Sequence, residues 1–169
     1  MTTTENRPQF KVVGTRPVRH DGLEKVTGKA KYGADVILPG MLYGKVLRSP
    51  HPHARIKAID TSGALKVPGV MAVVTSKDLP IQSDKMVELG EAHANMKQVA
   101  ENCLASDKVL YKGHAVAAVA ATSPHIAEEA LEAIKVDYEV LPFVLSVDDA
   151  MKPGAPLLHE SMVTKAILG

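Results

Sequence analysis

The sequence has a single cysteine, no tryptophan and few other aromatic residues, which make up 4% of its 169 residues. One thiol cannot form an internal disulfide, a thiolate zinc site or an iron–sulfur site, because each of these needs several sulfur atoms. Cys103 is therefore interpreted as a small apolar residue rather than a nucleophile, since packing is the commoner role of a lone cysteine.

Blocks of like charge and long apolar runs are also missing. The 20 lysines and arginines and the 19 aspartates and glutamates are scattered, and the net charge is +1, so no nucleic-acid or anionic membrane partner is predicted. No apolar run approaches the roughly 20 residues of a transmembrane helix. The polar start, MTTTENRPQFKVV, lacks the apolar stretch of a secretory signal. We expect a cytoplasmic protein.

Familiar catalytic and phosphate-binding motifs are not found. The glycines are spread out, with no GxGxxG or GxxxxGK[ST] spacing, so no phosphate-binding loop is predicted. The acidic pairs Glu128–Glu129 and Asp148–Asp149 are interpreted as solvated surface charge. A Ser–His–Asp triad cannot be inferred from sequence order, because triads are defined by geometry. The residues alone thus predict no catalytic residue and assign no cofactor-binding residue.

The stretch SPHPHARIKAID, residues 49–60, places His51 and His53 one residue apart, with Pro50 and Pro52 on either side of His51. Two imidazoles could begin a metal site, but the histidines at 20, 93, 114, 125 and 159 are dispersed, and HExxH and CxxC are absent. Pro50 and Pro52 fix their own φ angles and favour extended geometry in the residues before them. A stiff connector between two strands is therefore favoured, and no metal ligand is predicted.

The apolar pattern predicts an α+β domain of short strands with two or three helices. Strands are expected at Ala30–Asp35, Leu42–Arg48, Ala54–Asp60, Val70–Thr75, Lys108–Tyr111, Ala115–Thr122 and 136–142. Two of them, Val70–Thr75 and Ala115–Ala121, are continuously apolar and are expected to be covered on both faces.

The clearest helix is predicted after Ser123, a good N-cap, with Pro124 at the first helical position. Its apolar face is expected to pack on the Ala115–Ala121 strand and form the core; that face comprises Ile126, Ala127, Ala130, Leu131 and Ile134. A second amphipathic helix is predicted over Met96–Leu104, inside the weakly patterned segment 76–107. Short helical turns are expected at Leu65–Val67 and Val147–Met151.

Several sequence blocks occur in an order that is typical of one enzyme family. They are RxDGxxKVTGKAxYxxD (19–35), GMLYGKVLRSPHPHARI (40–56), PGVMAVVTxxDLP (68–80), LAxDKVLYKGHAVAAVAA (104–121), AxxAxxxIxVDYEVLP (127–142) and APLLHE (155–160). Together they resemble the start of molybdenum hydroxylase large subunits, the family of xanthine dehydrogenase, aldehyde oxidase and carbon monoxide dehydrogenase. Only residues 81–103 are weakly matched.

The resemblance implies an α/β hammerhead domain, which is assigned to residues 14–160. Residues 1–13, which are polar and without periodicity, are expected to form a flexible arm, and residues 161–169 a C-terminal tail. It also implies that SPHPHARI is a scaffold segment, because a pterin dithiolene holds molybdenum in this family. Large subunits of the family run to several hundred residues, and their general-base glutamate and most pterin contacts lie in later regions. The resemblance therefore gives this chain no catalytic residue and no metal ligand.

The function implied by the resemblance is that of an N-terminal structural component, as a split subunit or a fragment, of a molybdopterin-dependent hydroxylase or dehydrogenase. It is expected to be inactive alone, to pack on the molybdopterin-binding part and to line the substrate funnel. Molybdopterin, iron–sulfur clusters and FAD are expected elsewhere in the complex, with the iron–sulfur and flavin subunits as indirect partners. The alternative is a free-standing binding or regulatory module that retains the hammerhead fold.

Partner contact is expected at apolar residues of the N-terminal blocks and at the tail Pro156–Leu157–Leu158, since uncovered apolar surface marks interaction sites. The N-terminal candidates are Val36, Ile37, Leu38, Met41 and Leu42. Lys25 and Arg48 lie among them, and ordinary surface salt bridges are favoured for both over contact with a cofactor phosphate.

Overall fold

The computed structural model describes residues 10–80, 83–90 and 92–159, which fall into two compact units that divide after Pro39. The α-helices are α1 (Gly22–Val26), α2 (Met96–Cys103), α3 (Pro124–Glu132) and α4 (Val147–Ala150). The strands are β1 (Tyr43–Arg48), β2 (Ala54–Asp60), β3 (Val70–Thr75), β4 (Met86–Leu89), β5 (Ala92–Asn95), β6 (Lys108–Val109), β7 (Ala115–Ala121) and β8 (Lys135–Val140). None of the helices in the described ranges is long and apolar enough to cross a membrane.

The strands of the second unit form two three-stranded sheets and a hairpin, and every pair is antiparallel. The first sheet has the order β1–β7–β3, so the most apolar strand is central. The second has the order β6–β2–β8, in which Ala54 lies opposite both Val109 and Val140. Strands β4 and β5 form the hairpin.

Small side chains fill the interface between the first sheet and α3. Ala117, Val119 and Ala121 alternate along β7 and are buried against the helix, where Ala127 and Ala130 are fully buried. The helix begins as predicted, because the Ser123 hydroxyl accepts a hydrogen bond from the backbone N–H of Ile126 at 3.2 Å. Alanine on both sides lets the helix approach the sheet closely at the packing density of protein interiors.

The opposite face of β7 contributes to a second buried cluster. Val116 packs there with Ala54, Ala105 and Val109, and the half-buried Tyr138 lies beside them. The central strand is thus covered on both faces, as its uninterrupted apolar sequence predicts.

Several local predictions are wrong. Ala30–Asp35 is not a strand: Gly33–Asp35 is a 3-10 turn, held by a 2.9 Å hydrogen bond from the Tyr32 N–H to the Asp35 carboxylate. Helix α1 and the β4–β5 hairpin were not predicted, because five- and four-residue elements are too short to show a clear period. The strand expected at Lys108–Tyr111 ends at Val109, since the Leu110 N–H bonds a histidine ring instead of a neighbouring strand.

Two burial predictions are also corrected. Strand β3 is not covered on both faces: it lies at the edge of its sheet, and its Met71 side chain is 63% exposed. On α2, Cys103 is exposed rather than packed, and Val99 is 44% exposed. Leu131 of α3 packs against the buried residues between the first sheet and the helix but is only half-buried.

Candidate functional site

The segment Ser49–His53 connects the first sheet to the second. The Ser49 N–H donates to the His114 carbonyl oxygen at 2.9 Å, and the Gly113 N–H donates to the Ser49 carbonyl oxygen at 2.9 Å. These bonds fasten the end of β1 to the turn before β7. The Ser49 hydroxyl also accepts a hydrogen bond from the His51 N–H at 3.0 Å, which closes a tight turn around Pro50. The segment therefore lies where the sequence predicts a stiff connector.

The two histidines of this segment contact different groups. The His51 ring meets the Tyr138 ring edge-on, with centroids 5.1 Å apart. His53 is buried, and its Nδ1 lies 2.8 Å from the Pro142 carbonyl oxygen. A carbonyl oxygen only accepts, so Nδ1 carries the proton and donates. The buried Nε2 has no hydrogen-bond partner among the described residues.

A three-ligand metal site is not formed by the part of the chain that the structure describes. There, no group of three or more His, Cys, Asp or Glu side chains is placed to hold a metal ion. Beside His51, burial raises the pKa of the Tyr138 hydroxyl, and a hydrogen bond with Ser49 opposes the shift. The phenol is thus neutral at physiological pH, and its ring packs against His51 in the Ser49–His53 segment, which is the junction between the two sheets.

Sequence reasoning missed His114, which it counted only among dispersed histidines. The side chain is fully buried. Its Nδ1 accepts a hydrogen bond from the Leu110 N–H at 3.2 Å, and its Nε2 donates to the Glu101 carbonyl oxygen at 2.9 Å. The Tyr111 ring stacks on it with centroids 4.5 Å apart. The available signal was a histidine directly before the most apolar strand of the chain.

Burial lowers the pKa of the His114 imidazole, and hydrogen bonds to backbone groups of Glu101 and Asn102 oppose the shift. The folded chain therefore holds this ring neutral, while the unfolded chain takes up a proton once the pH falls below the ordinary value of 6.5. The contribution of His114 to stability is present above pH 6.5 and is lost as the pH falls towards its folded pKa.

We expect the urea concentration at the unfolding midpoint of the domain to decrease as the pH is lowered from 7.5 to 5. A His114→Gln variant should show a flatter pH profile over this window, because glutamine does not titrate. Carboxylates with lowered pKa values affect stability only at lower pH. One of them is Asp78, whose pKa is lowered mainly by hydrogen bonds from Thr75. Parallel profiles for the two proteins would contradict this role of His114.

A groove of about 180 Å³ lies beside the junction. Pro52, which precedes His53, and Pro142, whose carbonyl accepts the hydrogen bond from His53, form part of its wall. Tyr111 and Phe143 also line the groove and are partly exposed. The groove is mainly apolar; its other lining residues are Leu110, Lys112, Val144, Leu145, Pro156 and Leu158. The structure thus brings most of the predicted tail surface to the groove, although sequence reasoning did not identify the groove itself.

The predicted N-terminal surface residues are exposed in both units. Val36, Ile37 and Leu38 are more than half exposed in the first unit, and Met41 and Leu42 are about two fifths exposed in the second. The exposure that the sequence predicts is therefore present at each of these positions.

The two cations among them have partners within the chain. Lys25 forms an ion pair with Asp21, and this lysine, followed by Arg19, lowers the pKa of the Asp21 carboxyl. Arg48 donates from Nη1 to the Gly113 carbonyl oxygen at 2.9 Å. The surface salt bridge predicted for Lys25 is present, whereas Arg48 bonds a backbone carbonyl.

Residues 27–142 match the family described as "Aldehyde oxidase and xanthine dehydrogenase, a/b hammerhead domain". The match covers more than half of the chain and confirms the α/β hammerhead fold. The chain therefore belongs to this family of molybdenum hydroxylases.

Two curated relatives illustrate the match. The chain is 41% identical over 166 residues to the carbon monoxide dehydrogenase large chain of Afipia carboxidovorans, covering 97% of this chain and 20% of the relative. It is 47% identical over 143 residues to a probable xanthine dehydrogenase subunit from Bacillus subtilis, covering 85% of this chain and 18% of the relative. The chain thus spans about a fifth of the length of these relatives.

A solved structure shares the fold. The aldehyde oxidoreductase of Desulfovibrio gigas superposes with a TM-score of 0.71 at 32% identity, over 85% of this chain and 16% of that chain. These three relatives are thus two dehydrogenases and an oxidoreductase.

Proposed function

We propose that this chain is the hammerhead part of a molybdenum hydroxylase, in which it supplies structure and contact surface rather than reacting groups. The observation that supports this most strongly is the family match over residues 27–142, since the relatives are about five times as long as the region that they share with this chain. The enzyme as a whole is an oxidoreductase, and the chain packs against its molybdopterin-binding part and borders the path of the substrate. Alone it is inactive.

Three wholly or partly buried polar side chains of the second unit have structural roles, which supports a non-catalytic function. His114 uses both ring nitrogens on backbone groups, and His53 binds a backbone carbonyl through Nδ1. The Tyr138 hydroxyl is half-buried in the junction, so it also acts in packing. The apolar groove beside the junction is suited to side chains of a protein partner.

The groove beside the junction is not suited to molybdopterin. Its phosphate needs cations or free backbone N–H groups, yet the groove is mainly apolar with Lys112 as its charged lining residue, while Lys25 and Arg48 have partners in the chain. The buried Nε2 of His53 is closed to solvent. We therefore propose that molybdopterin, iron–sulfur clusters and FAD bind in other parts of the enzyme. The enzyme is proposed to be cytoplasmic.

Co-expression tests this function. The chain, carrying an affinity tag, is co-expressed with a second polypeptide, a molybdopterin-binding subunit of this family. After size-exclusion chromatography, the peak that contains the chain should also contain the second polypeptide, molybdenum and a pterin. Separate elution, with molybdenum and pterin confined to the other polypeptide, would favour the free-standing module.

A further inference from the structure

The segment Phe10–Pro39, the described part of the first unit, has no core of its own. In these residues, all of which the structure describes, none is buried, and only Gly22 and Ala30 are half-buried. Ten large apolar or aromatic side chains are more than half exposed; they are Phe10, Val12, Val13, Val18, Leu23, Val26, Tyr32, Val36, Ile37 and Leu38. So much exposed apolar surface in 30 residues marks a segment that is meant to be covered.

The backbone of this segment is nevertheless ordered locally. Asp21 pairs with Arg19 at 2.6 Å and with Lys25, which fixes the first turn of α1. At the other end of the helix, the Lys29 N–H donates to the Glu24 carbonyl oxygen at 2.8 Å, and Gly28 adopts a φ of 71°. Such bonds set a shape but leave the apolar side chains in water, so they cannot replace burial as the source of stability.

The segment is also basic, whereas the chain as a whole is nearly neutral. It contains six lysines and arginines against three aspartates and glutamates, in a chain whose net charge is +1. Lys29 and Lys31 follow α1, close in sequence to the exposed Val26. The surface that covers the segment should therefore offer apolar pockets bordered by carboxylates.

We infer that residues 10–39 form a docking arm that binds an apolar and acidic surface on the molybdopterin-binding part of the same enzyme. This inference rests on the proposed function. The molybdopterin-binding part is the proposed partner because about four fifths of each relative lies outside the matched region and can supply the surface that the arm binds. Positive charge on the arm argues against pairing with the same basic arm of a second copy.

The docking of the arm is tested by comparing how two double variants bind the second polypeptide. Val26→Asp with Ile37→Asp, in the full chain, should weaken binding to the co-expressed second polypeptide by about tenfold or more. The reason is that complex formation would bury both aspartate carboxylates in an apolar interface. The matched control is Leu65→Asp with Met71→Asp, which changes two exposed apolar residues of the second unit. The control should bind within about twofold of the wild type.

Both double variants should unfold at the wild-type urea midpoint, since none of the four side chains is buried. Equal loss of binding in the two, or no loss in the arm variant, would overturn the inference. If the wild type itself does not bind the second polypeptide, the proposed function fails, and the two failures are thereby distinguished.

Limited trypsin digestion provides an independent measurement that does not depend on substitution. The free chain should be cleaved rapidly after Lys29 and Lys31, and the complex should be cleaved at these sites about tenfold more slowly. Reversal of both charges, by Lys29→Glu with Lys31→Glu, should weaken the complex more at low salt than at high salt, because salt screens charge attraction.

Undiminished cleavage at Lys29 and Lys31 in a stable complex would contradict the docking arm. Sedimentation that shows a dimer of this chain, which the Val26→Asp with Ile37→Asp variant abolishes, would instead assign the arm to a second copy and overturn the choice of occupant.

Discussion

Val116→Asp is expected to unfold the second unit or to destabilise it by about 4 kcal/mol or more, because an unpaired charge would replace a fully buried side chain. Val116 has no exposed surface and packs among Ala54, Ala105 and Val109, none of which can pair with a carboxylate. Urea unfolding followed by circular dichroism measures the change.

The matched control for this variant is Val46→Asp. Val46 lies on the neighbouring strand β1, opposite Ala118, and is 40% exposed, so the new carboxylate can remain hydrated. The control should lose no more than about 1 kcal/mol. Equal midpoints for the two variants would show that the face of β7 bearing Val116 is not part of the core.

His114→Ala is expected to cost about 3 kcal/mol or more. The substitution removes a fully buried ring and leaves the Leu110 N–H and the Glu101 carbonyl without their partner, so cavity and desolvation costs add. Because Leu110 also lines the groove, the groove should change shape as well.

Two variants separate burial from chemistry at this position. His125→Ala, on the exposed side of α3, should leave the free energy of unfolding nearly unchanged. His114→Gln should lose less than His114→Ala, since an amide can offer both a donor and an acceptor. Identical losses for alanine and glutamine would show that the two backbone hydrogen bonds contribute little.

Much of the second unit could be predicted from sequence because its signals are local. Alternation along Ala54–Asp60, the uninterrupted apolar run of Ala115–Ala121 and the Ser123–Pro124 helix start each indicate their element without knowledge of distant residues. The prolines around His51 likewise predicted a connector between two strands.

The features that were not predicted depend on contacts between distant parts of the chain. His114 is buried because α2 brings the Glu101 carbonyl to it, and no local pattern indicates that approach. The groove combines Pro52, Tyr111, Phe143 and Leu158, which come from four separate segments. Met71 is exposed on the edge strand β3, and a local apolar run does not indicate whether another element covers each face of its strand.

Activity of the assembled enzyme tests the proposed structural role most directly. The molybdopterin-binding polypeptide is purified with and without this chain, and substrate-dependent reduction of an artificial electron acceptor is measured with a panel of aldehydes and nitrogen heterocycles. We predict activity in the complex, none for this chain alone, and a loss of about tenfold or more when the chain is left out, because an uncovered interface destabilises the enzyme. Full activity of the larger polypeptide without this chain would contradict that role.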